Sequence, residues 1–286
     1  MNKLIIAALL SCFVVPFTFA QEKAHQIYNK YGDKISYKTM VFKSQKADVV
    51  LFGENHNDPI SHWLQLELTK SLHKKHGTDL MLGAEMLESD NQVVLNEYLL
   101  GFSREKDFEK EAKIWPNHKT DYRPLLRFAK ENDLHFVATN IPRRFANMVY
   151  RFGIDTLDYL PELSKQFITP LPMAFDTSLK CYKEISAMAG GHGGENLPKS
   201  QAIKDATMAH FIHANMKENT RFIHYHGSYH SKFYESIMWY LLQLNSELSI
   251  VTIEVLEQED ISDFDTELIG NADFFIVVDE DMCKTH

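Results

Sequence analysis

The sequence has few cysteines and no excess of positive charge. Cys12, Cys181 and Cys283 are the only cysteines among 286 residues, which is too few for a disulfide framework. Cys181 and Cys283 leave room for one disulfide, but their spacing does not form a metal-binding motif. The 39 acidic residues outnumber the 30 basic ones, and the net charge is −9. This balance argues against nucleic acid or an anionic membrane surface as the general partner.

Long apolar runs are also lacking after the first twenty residues. Lys3 precedes an apolar run from Leu4 to Phe19 that ends just before Ala20. This pattern is typical of a cleavable export signal, and we expect cleavage after Ala20. Cys12 is an alternative lipid-attachment site, but the apolar run continues past it, which argues against lipidation. We therefore predict a signal peptide at 1–20, a single domain at 21–286, and a periplasmic or outer-membrane-associated protein.

The remaining chain has no internal repeat and no low-complexity tract, and its 44% hydrophobic content is ordinary for a globular fold. Short apolar runs typical of strands buried on both faces occur at 48–52, 80–84, 135–139, 221–225, 249–253 and 274–278. Helical segments are predicted between them at 59–75, 91–100, 122–132, 142–152, 202–217 and 231–244. This alternation predicts an α/β fold with a mostly parallel central sheet and helices on both faces.

A polar residue follows each predicted strand. These residues are, in chain order, Glu54, Glu85, Asn140, His226, Glu254 and Asp279. Ligands of open parallel sheets bind at the carboxyl ends of the strands, so a ligand crevice is predicted at this edge. The alternative is that a strand simply becomes polar where it reaches solvent, which is the favoured interpretation for Glu254 and Asp279.

Two strands run into the pattern Gly-x-x-His, at Gly53–His56 and at Gly227–His230. Glycine permits a sharp turn out of the sheet, and each histidine is expected in the opening turn of the next helix. Both imidazoles would then face one crevice. The residues at this edge suited to a divalent metal are Glu54, His56, Glu85, His226 and His230, and those suited to acid–base catalysis are Glu54, His56 and His230. Helix capping, or pairing with Arg143 and Arg144, is the alternative role of these side chains.

Two further histidines are candidates for contact with a ligand. His62 lies six residues after His56, close to two helical turns, and is expected to line the pocket wall, although packing in the core is the alternative. His192 lies among four glycines within the run from 188 to 196. This composition is typical of a mobile loop that closes over a ligand, or of a simple connector. Nearby, Tyr182 and Phe175 add aromatic surface suited to a flat apolar ligand.

Taken together and in order, these motifs resemble those of the ChaN-like haem-binding uptake proteins of the Tiki superfamily. The resemblance spans about residues 45 to 235 and is carried by Leu51–His56 with His62 and Gln65, Ala84–Met86 with Gln92, Trp115 and Tyr122, Asn140–Arg143, Gln201 with Asp205–Ala209, and Gly227–His230. It implies haem binding in bacterial iron acquisition, on a fold related to erythromycin esterases and Tiki metalloproteases. Those relatives use Gly-x-x-His and Glu positions for hydrolysis or metal binding, and the matching positions here are Glu54, His56, Glu85 and His230.

Two functions follow as expectations. In the first, the protein carries haem, His192 or Tyr182 ligates the iron with Tyr229 and His230 as the next candidates, and Arg143 or Arg144 meets the propionates. Partners would be haem and an outer-membrane haem receptor, and a homodimer stays open. In the second, a metal-dependent hydrolase of protease or esterase type uses Glu54, His56 and His230 around an activated water.

Overall fold

One mixed sheet of eight strands organises the part of the chain that the computed structural model describes, residues 23–188 and 194–286. The strands are β1 (His25–Asn29), β2 (Lys34–Ile35), β3 (Val49–Glu54), β4 (Leu80–Glu88), β5 (His135–Asn140), β6 (Arg221–Gly227), β7 (Ile250–Gln258) and β8 (Phe274–Asp279). Their order across the sheet is β2-β1-β8-β7-β3-β6-β4-β5. The helices are α1 (Tyr37–Ser44), α2 (Pro59–His76), α3 (Gln92–Leu99), α4 (Glu105–Glu111), α5 (Arg123–Glu131), α6 (Arg143–Phe152), α7 (Glu162–Lys165), α8 (Lys180–Met188), α9 (Asn196–Asn215) and α10 (Ile237–Leu244).

The predicted α/β class is confirmed. All six predicted strands are present, and they pair in parallel from β8 across to β5. Strands β1 and β2 were not predicted, and they add an antiparallel hairpin beside β8. This hairpin is short and lies beyond the alternating strand–helix pattern, so the periodicity gives no strong signal for it.

Side chains of the central strands alternate between two packed faces. Phe52 and Tyr225 point to the face covered by α2 and α5, which we call the α2 face. Leu51 and Phe222 point to the opposite face, covered by α9 and α10, which we call the α9 face. Because successive strand residues alternate, Glu54 at the end of β3 leaves the sheet on the α2 face.

Two predicted helix boundaries and two strand ends are wrong. Helix α9 begins at Asn196, before the expected 202, because Pro198 lies in the first turn, where a backbone N–H is not needed. The segment 231–244 is helical only from Ile237, because Phe233, Tyr234 and Ser236 have positive φ angles of 65°, 58° and 54°. Strands β4 and β7 continue past Glu85 and Glu254, so these two glutamates lie within strands.

Neither cysteine of the described residues forms a disulfide. Cys181 is buried and Cys283 is exposed, and both are free thiols. The described helices also include none with the length and apolar character needed to cross a membrane. The predicted export signal lies outside the described residues.

Candidate functional site

A cleft of about 900 Å³ opens at the carboxyl ends of β3, β6, β4 and β5. Clefts of this size hold small-molecule ligands in proteins. Of the strand-end residues and candidate ligand-binding residues predicted above, those that line it are His56, Glu85, Asn140, Arg143, Tyr229 and His230. The other walls come from the segment Lys113–Pro116 and from helices α6, α8 and α9. The predicted position of the crevice therefore matches the cleft that the fold forms.

On the α2 face, Glu54 orients His56. The Glu54 carboxylate is fully buried, and its Oε1 lies 2.9 Å from His56 Nδ1. Tyr122 donates its hydroxyl to the same oxygen at 2.7 Å, and Gln65 donates its amide to the other carboxylate oxygen. Glu54 therefore does not reach the cleft itself, contrary to its predicted role as a direct catalytic or metal-binding residue. It fixes the histidine that does reach the cleft.

The charge of His56 is set by this environment. Burial would lower the pKa of His56, but the hydrogen bond to Glu54 and the charges of Glu85 and Glu54 outweigh burial and raise it. The imidazole also meets Trp115 edge to face, with 4.8 Å between the ring centroids. Trp115 and Glu54 thus hold the ring in one orientation beside the cleft.

His62 contacts the backbone of the loop that carries His56. Its ring is buried, with Nδ1 3.3 Å from Gln65 Oε1 and Nε2 3.1 Å from the His56 carbonyl oxygen. Asn117 donates its side-chain amide to the same carbonyl at 2.9 Å. His62 therefore does not line the cleft, because its position on α2 directs the ring into the core, and the packed alternative given for it above is the one observed.

On the α9 face, one imidazole lies between two carboxylates. His230 Nε2 is 3.2 Å from Glu85 Oε1, and His230 Nδ1 is bonded to the carboxylate of Asp205 on α9. Tyr182 donates its hydroxyl to the second Asp205 oxygen at 2.9 Å. Asp205 was not predicted as a site residue, although its place among the residues that carry the family resemblance was the available signal.

These contacts keep His230 positively charged. Burial would lower the pKa of His230, but the attraction and hydrogen bonds of Glu85 and Asp205 raise it to about 10. Burial would likewise raise the pKa of Glu85, but the charge of His230 holds it well below its usual range. Burial raises the pKa of Asp205. The cleft floor therefore carries an imidazolium paired with an ionised Glu85.

Gly227 is the point where the two imidazole systems approach each other. Its backbone N–H donates to Glu85 Oε2 at 2.8 Å. A methyl group on its Cα would lie 2.8 Å from His56 Nε2 and 3.7 Å from Glu85 Oε2. Glycine is required here because a side chain would occupy the space of the His56 ring. The histidines of the two Gly-x-x-His patterns share this cleft, but they lie in a loop and a 3₁₀ turn, and the prediction of helical opening turns is wrong.

The predicted divalent-metal set is not brought to one point. Glu54 leaves the sheet on the α2 face, and His226 lies fully buried beneath the α9 face. His226 Nδ1 is 3.0 Å from Nδ1 of His224, and burial holds the pKa of His226 well below its usual range. Within residues 23–188 and 194–286, no group of three or more histidines, cysteines or acids has an arrangement that could hold a metal ion. The structure therefore does not support the predicted metal site.

The remaining predicted residues separate into two groups. Arg143 lines the cleft, whereas Arg144 is bonded to Asp90 at 2.5 Å and lies outside it, because successive helical residues point about 100° apart. Tyr182 is 1% exposed, and burial holds its pKa well above the usual range, so it cannot meet a ligand as predicted. Glu254 and Asp279 do not line the cleft either. His192 lies outside the described residues.

The paired carboxylates of His230 predict a specific pH dependence. A histidine pKa raised from about 6.5 in the unfolded chain means that His230 contributes its full stabilisation below that pH and loses it as pH rises toward 10. We expect the free energy of unfolding to fall across this window, and to fall less steeply in His230→Gln. The matched control is His135→Gln, which makes the same change at an exposed position outside the cleft. A ring that titrates near pH 6.5 by NMR would contradict this prediction.

Comparison with known proteins gives one family match and several similar folds. No curated protein matches by sequence. ChaN of Campylobacter jejuni, whose structure is described as binding haem cofacially, aligns with a TM-score of 0.66 and 17% identity over 89% of this chain and 96% of its own. A succinoglycan biosynthesis protein aligns at 0.50 and 12% identity, over 85% of this chain and 89% of its own. An erythromycin esterase mutant in its open conformation aligns at 0.47 and 13% identity, over 77% and 72%.

At these identities the first two structures establish similarity of fold alone, and the third is too distant to support a conclusion. The family evidence is of a different kind, because a family model for haem-binding uptake proteins of the Tiki superfamily, ChaN, matches residues 40–241. That range contains both Gly-x-x-His patterns and every cleft residue described above. The chain therefore belongs to the ChaN family of haem-binding uptake proteins in the Tiki superfamily.

Proposed function

We propose that this protein binds haem in the cleft at the strand ends and serves in haem or iron uptake. The observation that carries the proposal is that one cleft, in a chain of this family, combines an apolar wall with a cationic side chain that has no acidic partner among the described residues. A haem molecule has the same division, because its flat porphyrin is apolar and its two propionates are anionic.

The apolar wall suits the porphyrin. It is formed by side chains from the segment Lys113–Pro116, from the loop after β5, and from α6, α8 and α9, namely Ile114, Trp115, Ile141, Ala146, Ile185 and Leu197. These residues face the cleft from more than one direction. A flat ring placed among them would bury apolar surface on both sides, which is the largest favourable contribution such a ligand can make.

The cationic residues suit the propionates. Arg143, Lys113 and Lys204 all line the cleft. Lys113 lies 2.6 Å from Glu88, and Lys204 lowers the pKa of Glu85, so both act partly on protein carboxylates. Arg143 forms no ion pair within the described residues. Its guanidinium is therefore the favoured partner for a propionate, which it can bind through two parallel hydrogen bonds.

Tyr229 is the favoured iron ligand among the described residues. It lines the cleft, and the residue is 43% exposed. His230 is less suited, because both ring nitrogens already face carboxylates and the ring is protonated at neutral pH. A neutral imidazole or a phenolate is what haem iron accepts from these residue types. His192 stays a second candidate.

The adjacent arginines give a matched test of the propionate contact. Arg143→Ala should weaken haemin binding by roughly 10-fold or more, because a charge-assisted hydrogen-bond pair is lost. Arg144→Ala makes the same chemical change one residue away, where the guanidinium is bonded to Asp90, and should leave affinity within about 2-fold. Titration of each variant with haemin, followed by absorption, measures both. Equal loss in the two variants would contradict the assignment of Arg143.

The ligand assignment is tested by removing one oxygen. Tyr229→Phe keeps the ring and should abolish the spectrum of tyrosinate-ligated ferric haem, because phenylalanine cannot coordinate iron. Tyr159→Phe is the control, since Tyr159 is 88% exposed and does not line the cleft. His192→Ala is measured in parallel. An unchanged spectrum in Tyr229→Phe together with an altered one in His192→Ala would assign the iron to His192 instead.

Hydrolysis is a second candidate function. The observation that favours it is the buried Glu54 behind His56 Nδ1, an arrangement that orients an imidazole toward a cleft as a general base. Glu54→Gln should abolish ester hydrolysis, because it removes the carboxylate that orients His56 and raises the pKa of its ring. Assays with a panel of chromogenic esters measure turnover. No turnover above buffer by the unmodified protein would eliminate this candidate.

The cellular setting is part of the proposal. The apolar segment before Gln21 supports export, and the family match supports delivery of haem from an outer-membrane receptor or to a further carrier. A homodimer that shares haem between two clefts is compatible with this setting. Export rests on the sequence, and the role in haem uptake rests on the family match, whereas the receptor and the homodimer are part of the proposal alone.

A further inference from the structure

The short segment that carries His56 is held from outside the cleft by Lys284 and Thr285. Thr285 donates its backbone N–H to the carbonyl oxygen of Asn57 at 2.9 Å. Lys284 Nζ lies 2.7 Å from Glu257 Oε1, and the Asn55 side-chain amide donates to the same oxygen at 3.1 Å. The residues on either side of His56 are thus both tied to one short stretch of chain.

The Thr285 hydroxyl extends this contact into the buried network behind His56. It donates to Asp121 Oδ2 at 2.8 Å, and Asp121 is 2% exposed. The same oxygen accepts the Asn117 amide at 2.7 Å, and that amide also donates to the His56 carbonyl at 2.9 Å. One chain of hydrogen bonds therefore runs from Thr285 through Asp121 and Asn117 to the backbone of His56.

This support matters because packing alone does not fix His56. The side chain is 38% exposed, and the residue lies in a loop between β3 and α2. Its Nδ1 must lie within hydrogen-bond distance of Glu54 while its Nε2 fits the space beside Gly227. A small rotation of the loop would break the hydrogen bond to Glu54 and would bring the ring into collision with the backbone at Gly227. The orientation of the ring therefore depends on how firmly the loop backbone is held.

We propose that Thr285 is a positioning residue for His56, acting through Asp121 and Asn117. The inference rests on the proposed function in one respect, that His56 lines the ligand cleft. The hydroxyl of Thr285 completes the set of donors to Asp121 and so fixes the loop that presents the imidazole. It does not itself contact the ligand.

The test compares two substitutions of Thr285 in the full chain without haemin. Thr285→Val is nearly isosteric and removes only the hydroxyl, whereas Thr285→Ser retains it. We expect Thr285→Val to lose the slowly exchanging, hydrogen-bonded Nδ1 proton signal of His56 in the NMR spectrum, and Thr285→Ser to keep it. Thr266→Val is the control for the same change at an exposed site. An unchanged His56 signal in Thr285→Val would overturn the proposal, and the backbone spectrum of each variant verifies folding.

A haemin titration separates this inference from the proposed function. We expect Thr285→Val to weaken haemin binding by roughly 3- to 10-fold, and Thr285→Ser to restore it, because one hydrogen bond of the supporting network is lost and regained. If the His56 signal is lost while haemin affinity is unchanged, the positioning role of Thr285 is supported and a role of His56 in haem binding is overturned. If both are unchanged, the positioning role itself is overturned.

Discussion

The site depends on two buried carboxylates, Glu54 and Glu85, that leave the sheet on opposite faces and each hold an imidazole at the same strand ends. Glu54 holds His56 from the α2 face, and Glu85 holds His230 from the α9 face together with Asp205. A buried carboxylate without a partner is costly, so each pair is stable only while its histidine stays in place. Gly227 lets the two systems approach because it has no side chain there.

This pairing also decides what the cleft can accept. From the sequence alone, Glu54 and Glu85 would place negative charge at the strand ends, and this charge would repel an anionic ligand. The structure offsets that charge, since the pKa of His230 is raised to about 10 and the pKa of His56 is raised as well. Arg143 and Lys204 then add positive charge on the walls. An anionic, largely apolar ligand is compatible with such a cleft, and a bare cation is not favoured.

Features set by neighbouring residues could be predicted from the sequence, whereas features set by contacts between distant residues could not. The parallel strands and the cleft position followed from local patterns, since buried strands are short apolar runs and polar residues mark their ends. The faces of Arg143 and Arg144 depended on helix rotation, and the burial of Tyr182 depended on its contact with Asp205, 23 residues away. Local composition predicts neither of these two features. Glu85 was placed correctly near the cleft even though its strand continues to Glu88.

The most direct test of haem binding in the cleft is an absorption titration of the unmodified protein with haemin. Binding in the cleft predicts a saturable Soret band that is shifted from that of free haemin and reaches its endpoint at a fixed ratio of haemin to protein. The shift requires coordination and enclosure in a cleft, which nonspecific adsorption to an acidic surface does not provide. A spectrum equal to the sum of free haemin and protein at every ratio would contradict the central claim.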